Sequence, residues 1–530
     1  LDGEISALID TTPLVAEGDL APVDHPHITI AGPELAETYT EAIVGMLEPQ
    51  APRTARVAYT PLHGVGAASV TRAFAAAGFP TPAVVESQAA PDPDFPTAPF
   101  PNPEETGVLD PLLDLATSID ADVALANDPD ADRLAVAIPN GPSWRLLTGD
   151  ELGSLLAEHL LSRPAPTGHD RLVINTVVSS RLLSKIAQHH GARYAETLTG
   201  FKWIMHERQA RAAEAFVLGY EEALGYSVGE TVADKDGVSA ALVVAEMVSQ
   251  LTAKGSSLAD VLDDLHQRHG VHATGQRSIR FEATDDPVPV MTQAMAGLRE
   301  RAPEHVAGLP VIEVIDLGHG HRGLAPADAV ILHLENGRVV IRPSGTEPKM
   351  KVYGEVILPA GDDLTNAQLS ARAELTRLLD GAVALAAAPE RAAIGDADDP
   401  TDGGLPRRAD SLMATLPEGA ARADALRMAV RCVDLTTLEG NDTPARIRAL
   451  CAQARRPDPA DPTVGPVAAV CVHPALAGLA RELLGHGAIE VASVAGAFPA
   501  ALSIPEVRLA DVSAAVDAGA GEVDMVLDRS

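Results

Sequence analysis

One segment without helical or strand periodicity, Ala382–Arg407, divides the chain into two parts that have different sequence patterns. It is rich in alanine, aspartate, glycine and proline, which is a composition typical of linkers. At 530 residues the chain is also too long for a single hydrophobic core. We therefore expect about three to five domains, with one boundary at this segment.

Before the linker, short apolar strands alternate with amphipathic helices, which is the pattern of α/β domains. The predicted helices include Glu34–Leu47, Gly149–Leu161 and Gly237–Leu251. The stretch from about Thr274 to Leu358 has the pattern of a more antiparallel sheet. The predicted strands are Ala55–Tyr59, Ala121–Ala126, Leu134–Ile138, Leu172–Asn175 and Ala215–Leu218 in the α/β part, and Ser278–Glu282, Ala329–Leu334, Arg338–Ile341 and Met350–Val356 in the antiparallel part.

Four apolar segments follow the linker at regular spacing, and helical segments such as Pro444–Ala454 and Pro474–Leu484 separate them. Repeated βα units of this kind predict either a parallel barrel or a doubly wound sheet. The four predicted strands are Met428–Asp434, Val467–Val472, Ile489–Val494 and Glu522–Leu527.

The segment Asp128–Arg133 (DPDADR) follows a predicted buried strand and places the carboxylates of Asp128, Asp130 and Asp132 at alternating positions. Such carboxylates can converge on one hard cation, and ligands that are all oxygen suit Mg²⁺. Arg133 can hold a phosphate oxygen beside the metal. The alternative is a solvated acidic loop. An EF-hand is disfavoured because its glycine and its distant glutamate are missing.

The segment Arg342–Lys351 (RPSGTEPKMK) combines an arginine, two hydroxyls, a glycine and flanking lysines between two predicted strands. These groups together can cradle a phosphate, and a polar hairpin is the alternative. Two weaker segments are Gly219–Tyr226 (GYEEALGY), whose carboxylates can accept sugar hydroxyls, and Thr197–Trp203 (TLTGFKW), a glycine turn with a basic residue. Core packing or turn chemistry explains either of these segments as well.

The composition argues against several kinds of partner. The net charge is −34, so electrostatic repulsion disfavours nucleic acid and anionic membrane surfaces. No apolar stretch approaches the ~18 residues that a membrane span needs. The three cysteines have no CxxC spacing, which indicates a reducing compartment, and we expect a cytoplasmic protein. The oligomeric state is left open.

Taken in chain order, DPDADR, TLTGFKW, YEEALGY with DKDG at Asp234–Gly237, and RPSGTEPKMK resemble the α-D-phosphohexomutase superfamily. Within it they are similar to the bacterial phosphoglucomutase/phosphomannomutase and phosphopentomutase branch. Tyr59–Gly66 (YTPLHGVG) and Pro91–Thr97 (PDPDFPT) match the same branch. The resemblance covers about residues 1–358. It implies α/β domains II and III, an α+β domain IV, a sugar-phosphate substrate and Mg²⁺ as the cofactor.

The resemblance also implies roles for the matched residues. Arg133 and Lys202 would be catalytic residues that line the cleft, with Arg133 steadying a phosphate on the enzyme. Ala223 and Leu224 stand where the family often has a serine, which favours a pentose over a hexose. The implied Mg²⁺ ligands are Asp128, Asp130 and Asp132, and the implied substrate-binding residues are Glu221, Glu222, Lys235, Arg342, Ser344, Gly345, Thr346 and Lys351.

The family transfers phosphate through a phosphoserine in a Ser-His-Asn-Pro-like loop of its first domain. No such loop occurs here, and Ser6 is the only serine before Ser69. We therefore expect that residues 1–33 are the tail of a missing first domain. Without a nucleophile to relay phosphate, we expect the chain to be inactive as a mutase. The start at Leu1 rather than at a methionine suggests a fragment.

The part after the linker resembles the first four strands of deoxyribose-phosphate aldolase, a class I aldolase with a (β/α)₈ barrel. The resemblance implies that Asp524 belongs to a proton relay, that Asp434 lines the site and that Cys471 lies near it. A strand-end turn residue and a small core residue are the alternatives for Asp524 and Cys471. The matching segments are Val433–Gly440, Ala469–Pro474, Val491–Pro499 and Gly521–Val526.

No lysine follows Lys351, so this part of the chain lacks the amine that a class I aldolase needs for its Schiff base. We also expect low stability, because a half-barrel leaves a sheet edge exposed. The predicted boundaries are 1–33 for the tail of domain I, 34–149 for domain II, 150–273 for domain III, 274–358 for domain IV, 359–408 for a helix and linker, and 409–530 for the partial TIM barrel.

Our leading hypothesis is a fragment of a bifunctional mutase and aldolase. The pairing has a chemical logic, because a phosphopentomutase makes the deoxyribose 5-phosphate that the aldolase cleaves. One alternative is a hexose-specific phosphomannomutase or phosphoglucomutase with an accidental tail. The other is a non-catalytic remnant that binds sugar phosphates.

Overall fold

The computed structural model separates the chain into two compact units, Leu1–Gly395 and Asp396–Ser530. The structure describes residues 5, 8–9, 11–12, 21–22, 24–98, 100–105, 107–164, 168–280, 287–344, 349–386, 419–438, 442–458, 461, 463–485, 487–496, 498 and 505–525.

The first unit contains two α/β sheets whose central strands are parallel. The first sheet has the order β2-β1-β3-β4-β5, in which β1 is parallel to β2 and β3 and the last two strands are antiparallel. The second has the order β7-β6-β8-β9, in which only β9 is antiparallel. The bounds are β1 Val57–Thr60, β2 Ala83–Val84, β3 Val123–Ala126, β4 Ala135–Asn140, β5 Ser143–Leu146, β6 Arg171–Thr176, β7 Arg193–Thr197, β8 Ala215–Glu221 and β9 Gly225–Val228.

A six-stranded antiparallel sheet completes the first unit, with the order β10-β15-β14-β13-β12-β11. Its apolar side packs against the long helix Leu364–Ala386. The bounds are β10 Val271–Arg280, β11 His305–Val306, β12 Leu309–Asp316, β13 Val330–Leu334, β14 Gly337–Pro343 and β15 Lys349–Leu358.

The helices of the first unit follow the apolar pattern of the sequence. Helix α4 begins with a capping box, in which the Thr148 hydroxyl accepts from Glu151 N and the Glu151 side chain accepts from Thr148 N. Helix α7 is apolar on most sides and is buried in the largest core cluster. The bounds are α1 Glu34–Val44, α2 Gly66–Ala77, α3 Asp110–Ser118, α4 Gly149–Leu161, α5 Leu182–His189, α6 Phe201–Ala210, α7 Gly237–Ala253, α8 Leu258–His269, α9 Pro287–Glu300 and α10 Leu364–Ala386.

The second unit has a four-stranded parallel sheet with the sequential order β16-β17-β18-β19. Sequential parallel order occurs in (β/α)₈ barrels, but four strands do not by themselves establish one, so the barrel stays a prediction. The bounds are β16 Asp434–Thr436, β17 Ala469–Val472, β18 Glu490–Ala495, β19 Glu522–Met525, α11 Gly419–Arg431, α12 Pro444–Arg455, α13 Pro474–Leu484 and α14 Pro505–Asp517.

Three sequence-based assignments were wrong at specific residues. The predicted strand Met428–Asp434 is mostly helix, because α11 continues to Arg431 and β16 begins only at Asp434. The predicted linker includes the last turn of α10, where Ala382 and Ala386 are buried in the core. Strand β10 begins seven residues before the predicted Ser278, since its pairing with β15 covers Val271–Arg280. The rest of the linker lies outside the described residues.

Within the described residues, no helix is both long enough and apolar enough to cross a membrane.

Candidate metal and phosphate site

The acidic loop Asp128–Arg133 is held at both of its ends by Asn127, which follows the fully buried strand β3. Asn127 N donates to Thr60 O at 3.0 Å, and the Tyr59 hydroxyl donates to Asn127 Oδ1 at 2.9 Å. The Asn127 Nδ2 atom donates to Arg133 O at the far end of the loop. The loop is therefore anchored to the sheet rather than free in solvent.

The loop backbone is also in close contact with two neighbouring glycines. Ala131 has a φ of 60°, in the left-handed region that non-glycine residues seldom adopt. A Cβ atom on Gly64 would lie 2.2 Å from Pro129 O, and one on Gly237 would lie 2.2 Å from Arg133 O. Both positions need glycine because the loop backbone occupies the space of a side chain.

The three carboxylates of the loop converge. Asp128, Asp130 and Asp132 each offer an oxygen, and these oxygens lie within 4.8 Å of one another. Burial raises the pKa of Asp128 to about 6, the N–H of Arg133 opposes the shift, and the two neighbouring carboxylates add to it. Asp132 Oδ1 is buried and has no hydrogen-bond partner within the described residues. An acidic oxygen set with an orphaned atom fits a hard divalent cation such as Mg²⁺.

Two cations flank this cluster. Lys235 Nζ lies 2.8 Å from Asp132 Oδ2. Arg133 Nε lies 3.5 Å from Asp128 Oδ2 and 3.8 Å from Asp132 Oδ1, and its side chain is partly exposed. The guanidinium therefore stands beside the carboxylates with donor atoms left for a phosphate.

The two glutamates at the end of β8 have different surroundings. Glu221 Oε1 accepts from Gly200 N at 2.6 Å. Burial raises the pKa of Glu221, while that N–H and the charges of Lys235, Arg133 and Arg342 act against the shift. The charges of Lys235 and Arg133 beside the acidic loop Asp128–Arg133, which we call the metal loop, and of Arg342 on β14, which we call the phosphate strand, therefore all act on Glu221.

Glu222 is a half-buried acid that can hold a proton near neutral pH. Its Oε2 atom accepts from Ser179 Oγ at 3.3 Å and from Thr176 Oγ1 at 3.4 Å. Burial and the nearby Asp150 and Glu221 raise the pKa of Glu222 to about 7, and Lys351 opposes the shift. A carboxyl group with this pKa suits proton exchange with a sugar hydroxyl.

The predicted phosphate-binding residues lie on adjacent strands. Arg342 on β14 is the register partner of Lys351 on β15, and Ser344 N donates to Lys349 O at 2.8 Å. Burial lowers the pKa of Lys351, and Glu222 opposes the shift. Gly345 and Thr346 lie outside the described residues.

Lys202 lines a surface cavity beside the segment that carries Lys235. Its side chain is exposed on the first turn of α6 and lines a shallow surface cavity of about 860 Å³ with His206 and Asp234. Within the described part of the chain it makes no ion pair with the metal loop. Its proposed catalytic role therefore rests on the sequence resemblance alone.

The structure adds three residues that the sequence analysis missed. Glu104, Asp150 and Tyr353 line a cavity of about 250 Å³ together with Glu222, which we call the front cavity. Desolvation raises the pKa of Glu104, and the charges of Arg133 and Lys351 oppose the shift. The polar segment after Pro101 could have indicated a binding role for Glu104. Asp150 gave no such indication, because an acidic residue is common in the first turn of a helix.

In the second unit, two predicted residues share one face of the sheet with a cysteine. Cys471 Sγ lies 3.5 Å from Asp524 Oδ2. Burial and the hydrogen bond to Asp524 raise the pKa of Cys471 to about 12, and the charge of Asp434 adds to the shift. The sequence-predicted trio is therefore close together in space.

Comparisons with known proteins identify the family to which the first unit is similar. Residues 37–141 match the family model for phosphoglucomutase/phosphomannomutase, alpha/beta/alpha domain II, residues 148–269 match domain III, and residues 291–357 match the C-terminal domain. A probable phosphomannomutase of Haemophilus influenzae is 38% identical over 66% of this chain and 70% of its own length. The chain belongs to the phosphoglucomutase/phosphomannomutase family of the phosphohexomutase superfamily.

Other relatives carry the names of pentose-phosphate enzymes. A probable phosphoribomutase of Schizosaccharomyces pombe is 35% identical over 57% of this chain and 55% of its own length. A phosphopentomutase of Mus musculus is 35% identical over 57% of this chain and 53% of its own length. The chain thus spans about half the length of these two relatives. A solved phosphoglucomutase/phosphomannomutase family protein from Burkholderia thailandensis is similar over 67% of this chain and 65% of that chain, with 20% identity and a TM-score of 0.49.

Proposed function

We propose that the first unit provides the metal, sugar and phosphate sites of a magnesium-dependent sugar-phosphate mutase, an enzyme that moves phosphate between two positions of a sugar. The observation that carries the proposal is the position of Glu221. The segment that follows it lies against the acidic loop, because Gly225 forms an isolated β-bridge with Arg133. Lys235, which is paired with Asp132, packs over the same glycine. The charges of Lys235, Arg133 and Arg342 all act to lower the pKa of Glu221, which supports a position between the acidic loop and β14.

The residues divide the proposed chemistry among them. Bound Mg²⁺ would supply positive charge that stabilises a transferring phosphoryl group. Arg133 would hold a phosphate oxygen, while Arg342 and Lys351 would bind the phosphate that does not react. Glu221 would accept hydrogen bonds from sugar hydroxyls. Glu222 would exchange a proton with one of them, because its pKa of about 7 leaves both forms populated.

We expect the 530 residues on their own to bind a sugar phosphate without transferring its phosphate. They contain no Ser-His-Asn-Pro sequence that could carry the phosphate between the two positions. Turnover would need a phosphoserine loop that another segment supplies. If no such loop is supplied, the first unit would act only as a non-catalytic protein that binds sugar phosphates.

The substrate that we favour is a pentose phosphate. Ala223 and Leu224 occupy the sugar loop between Glu222 and Gly225, where a serine would offer a further hydrogen bond to a hexose. Relatives named phosphoribomutase and phosphopentomutase support this choice, and the relative named phosphomannomutase supports the hexose alternative.

Calorimetric titration of the full chain with ribose 1-phosphate and glucose 1-phosphate, each with Mg²⁺, tests the proposal. We expect tighter binding of the pentose, and about tenfold weaker binding in Glu222→Gln and Arg342→Gln. The matched control is Arg377→Gln on the exposed side of α10, which should not change the affinity. If neither sugar phosphate binds, or if all three variants behave alike, the proposal is wrong.

For the second unit we propose an aldolase-like site that would bind deoxyribose 5-phosphate without cleaving it. The contact between Cys471 and Asp524, together with the charge of Asp434 nearby, supports this second candidate. With no lysine after Lys351, we expect no Schiff base and no cleavage by these residues alone. Borohydride trapping with deoxyribose 5-phosphate tests this expectation, and a covalent adduct on the second unit would contradict it.

A further inference from the structure

Two segments that resemble the family, Tyr59–Gly66 and Pro91–Thr97, have none of the metal, sugar or phosphate roles proposed above. In the structure they contact each other. His63 O accepts from Asp92 N at 3.0 Å, and the rings of His63 and Phe95 lie edge to face with their centroids 6.4 Å apart. We call Pro91–Thr97 the covering segment, because it packs over the turn that contains His63.

That turn, Pro61–Gly66, also contacts the metal loop, and we call it the clamp turn. Val65 N donates to Pro129 O at 2.8 Å. A Cβ atom on Gly64 would lie 2.3 Å from Pro129 Cα, so the two backbones are as close as glycine allows. Pro129 stands between two of the three metal-loop carboxylates in the chain. The directions of these carboxylates therefore depend on where the clamp turn holds Pro129.

The backbone of the clamp turn is strained. Leu62 has a φ of 48° and His63 has a φ of 60°, so two consecutive non-glycine residues are in the left-handed region. Phe95 in the covering segment and Ala131 in the metal loop are left-handed as well. Four of the eight such residues in the described part of the chain thus lie at this contact. Strained backbone persists only where its surroundings fix it, and it is concentrated at functional sites.

A hydrogen-bond network fixes the clamp turn. Gln88 is fully buried, its Nε2 atom donates to Thr97 Oγ1 at 2.9 Å, and its Oε1 atom accepts from Thr60 Oγ1 at 2.6 Å. The two left-handed N–H groups join this network, because Leu62 N donates to Thr60 Oγ1 at 3.1 Å and His63 N donates to Gln88 O at 3.0 Å. The His63 ring is buried, and its Nε2 atom lies 2.8 Å from Thr97 Oγ1.

We propose that the contact between His63 and Thr97 positions the metal loop for a divalent cation. His63 is a positioning residue, since it is not one of the three carboxylate residues whose oxygens converge. Its ring fastens the clamp turn to the covering segment, and the turn holds Pro129 through the Val65 N–H. When the ring contact is lost, the strained turn relaxes, Pro129 is released and the carboxylates converge less closely. The effect on cation binding rests on the proposed function, whereas the hold on the loop backbone does not.

The test is Thr97→Val in the full chain. Valine has the shape of threonine without the hydroxyl, and Thr97 is exposed, so the variant should fold. Without metal, hydrogen–deuterium exchange should be about fivefold faster in peptides that contain Val65 or Ala131, because a lost hydrogen bond shifts the local opening equilibrium by roughly this factor. Calorimetric titration with Mg²⁺ below the melting temperature should show about fivefold weaker binding.

Two further variants separate the ring contact from the backbone conformation. Thr97→Ser restores the hydroxyl and should return both the exchange and the Mg²⁺ affinity to within about twofold of the unmodified chain. His63→Asn keeps a residue that tolerates the left-handed region, but its side chain is too short to reach Thr97, so it should behave like Thr97→Val. The double variant should lose less Mg²⁺ affinity than the sum of the two single losses, because both remove the same contact.

Ser249→Ala is the control for a general loss of stability. The Ser249 hydroxyl is fully buried and accepts from Thr54 N at 3.1 Å and from Ala55 N at 2.9 Å. It lies about 18 Å along α7 from Gly237, which contacts the metal loop. Ser249→Ala should lower the melting temperature and leave the metal-loop exchange and the Mg²⁺ affinity unchanged.

The proposal is wrong if exchange in the metal loop is the same in Thr97→Val as in the unmodified chain, or if Thr97→Val binds Mg²⁺ as tightly. An equal loss of Mg²⁺ affinity in Ser249→Ala would also overturn it, because the effect would then follow stability alone. If the unmodified chain binds no Mg²⁺ but Thr97→Val still exchanges faster at Val65 and Ala131, the metal site of the proposed function is wrong and the hold of the clamp turn on the loop is supported.

Discussion

Lys235 Nζ lies 2.8 Å from Asp132 Oδ2, whereas Asp132 Oδ1 is buried and makes no hydrogen bond within the described residues. One oxygen of this carboxylate is therefore balanced by an ammonium group, and the other, 3.8 Å from Arg133 Nε, lies beside Asp128 and Asp130. The ion pair also joins the metal loop to the segment that leads into α7. A cation bound by the three carboxylates would thus affect both the loop and that helix.

The first prediction concerns the metal itself. Asp132→Asn should weaken Mg²⁺ binding about tenfold or more, because it removes a charged ligand and half of the Lys235 ion pair. The measurement is the rise in melting temperature on adding Mg²⁺, which should be clear in the unmodified chain and lost when the metal is chelated. Asp114→Asn, at an exposed acid on α3, is the control and should respond like the unmodified chain. If Mg²⁺ raises the melting temperature of Asp132→Asn as much as that of the unmodified chain, the three carboxylates do not form the metal site.

The second prediction concerns the close approach of Gly237 to the metal loop. In Gly237→Ala the new Cβ atom would meet Arg133 O at 2.2 Å and Ala131 O at 2.8 Å. The loop must then move, and we expect a loss of about 1–3 kcal/mol in stability together with weaker Mg²⁺ binding. Urea unfolding and the Mg²⁺-dependent melting shift measure the two effects. Gly45→Ala is the control, because its Cβ would meet only the carbonyls of its own helix at 3.3 Å and 3.4 Å, which needs a shift of a few tenths of an ångström rather than a movement of the loop.

The third prediction is a pH dependence of stability that arises at Asp150. Burial raises the pKa of Asp150 from 3.8 to about 6, although Ser180 N and the Thr274 side chain donate to it. Between these two values the folded chain binds more protons than the unfolded chain. The contribution of Asp150 to stability should therefore increase as the pH falls from about 7 to about 4.

The comparison of the unmodified chain with Asp150→Asn isolates this effect. Relative to the variant, the unmodified chain should gain about 1.4 kcal/mol between pH 7.5 and pH 5. Urea midpoints at several pH values measure the difference, and Asp114→Asn should show no such trend. A difference that is flat with pH, or that has the opposite sign, would mean that Asp150 is not a desolvated acid.

Local sequence was enough to predict that three carboxylates converge and that Arg342 and Lys351 lie on neighbouring strands, because the residues of each group are close together in the chain. Their binding of metal and phosphate stays a prediction. The Asp128, Asp130 and Asp132 carboxylates converge within one loop, and Arg342 and Lys351 follow from one hairpin. Whether these two segments meet depends on tertiary packing. Family resemblance predicts that they meet, and the charges of Arg133 and Arg342 both act on the pKa of Glu221, as that prediction requires.

Residues whose roles depend on distant partners escaped the sequence analysis. In the sequence Asp150 is an acidic residue in the first turn of a helix. In the structure it is buried and accepts hydrogen bonds from Ser180 N and Tyr220 OH, which are distant in the chain. The same limit explains the error at Met428, where an apolar run was interpreted as a strand although it forms the end of a helix. Short apolar runs do not distinguish a helix from a strand without knowledge of their neighbours.

The last prediction concerns Glu355, a buried acid on β15 that is 3% exposed. It accepts from Arg181 Nε at 2.7 Å, from Ser180 Oγ at 2.9 Å and from His272 Nδ1 at 3.0 Å. Burial alone would raise the pKa of Glu355. The His272 hydrogen bond and the charges of Arg338 and Arg181 outweigh burial and hold the pKa well below its usual range. This carboxylate therefore joins the second α/β sheet to the antiparallel sheet.

Glu355→Gln should destabilise the first unit by about 3–5 kcal/mol, because it leaves the buried Arg338 with less compensating charge. Since the folded pKa is depressed, the stabilising effect of Glu355 is fully present above its ordinary value of 4.5 and is lost as the pH falls towards the folded pKa. The stability difference between the unmodified chain and the variant should thus be constant from pH 5 to pH 8 and shrink below about pH 4.5. Glu313→Gln, at an exposed acid on β12, should cost less than about 0.5 kcal/mol. Equal effects of the two substitutions would show that the Glu355 network contributes no more than a surface ion pair.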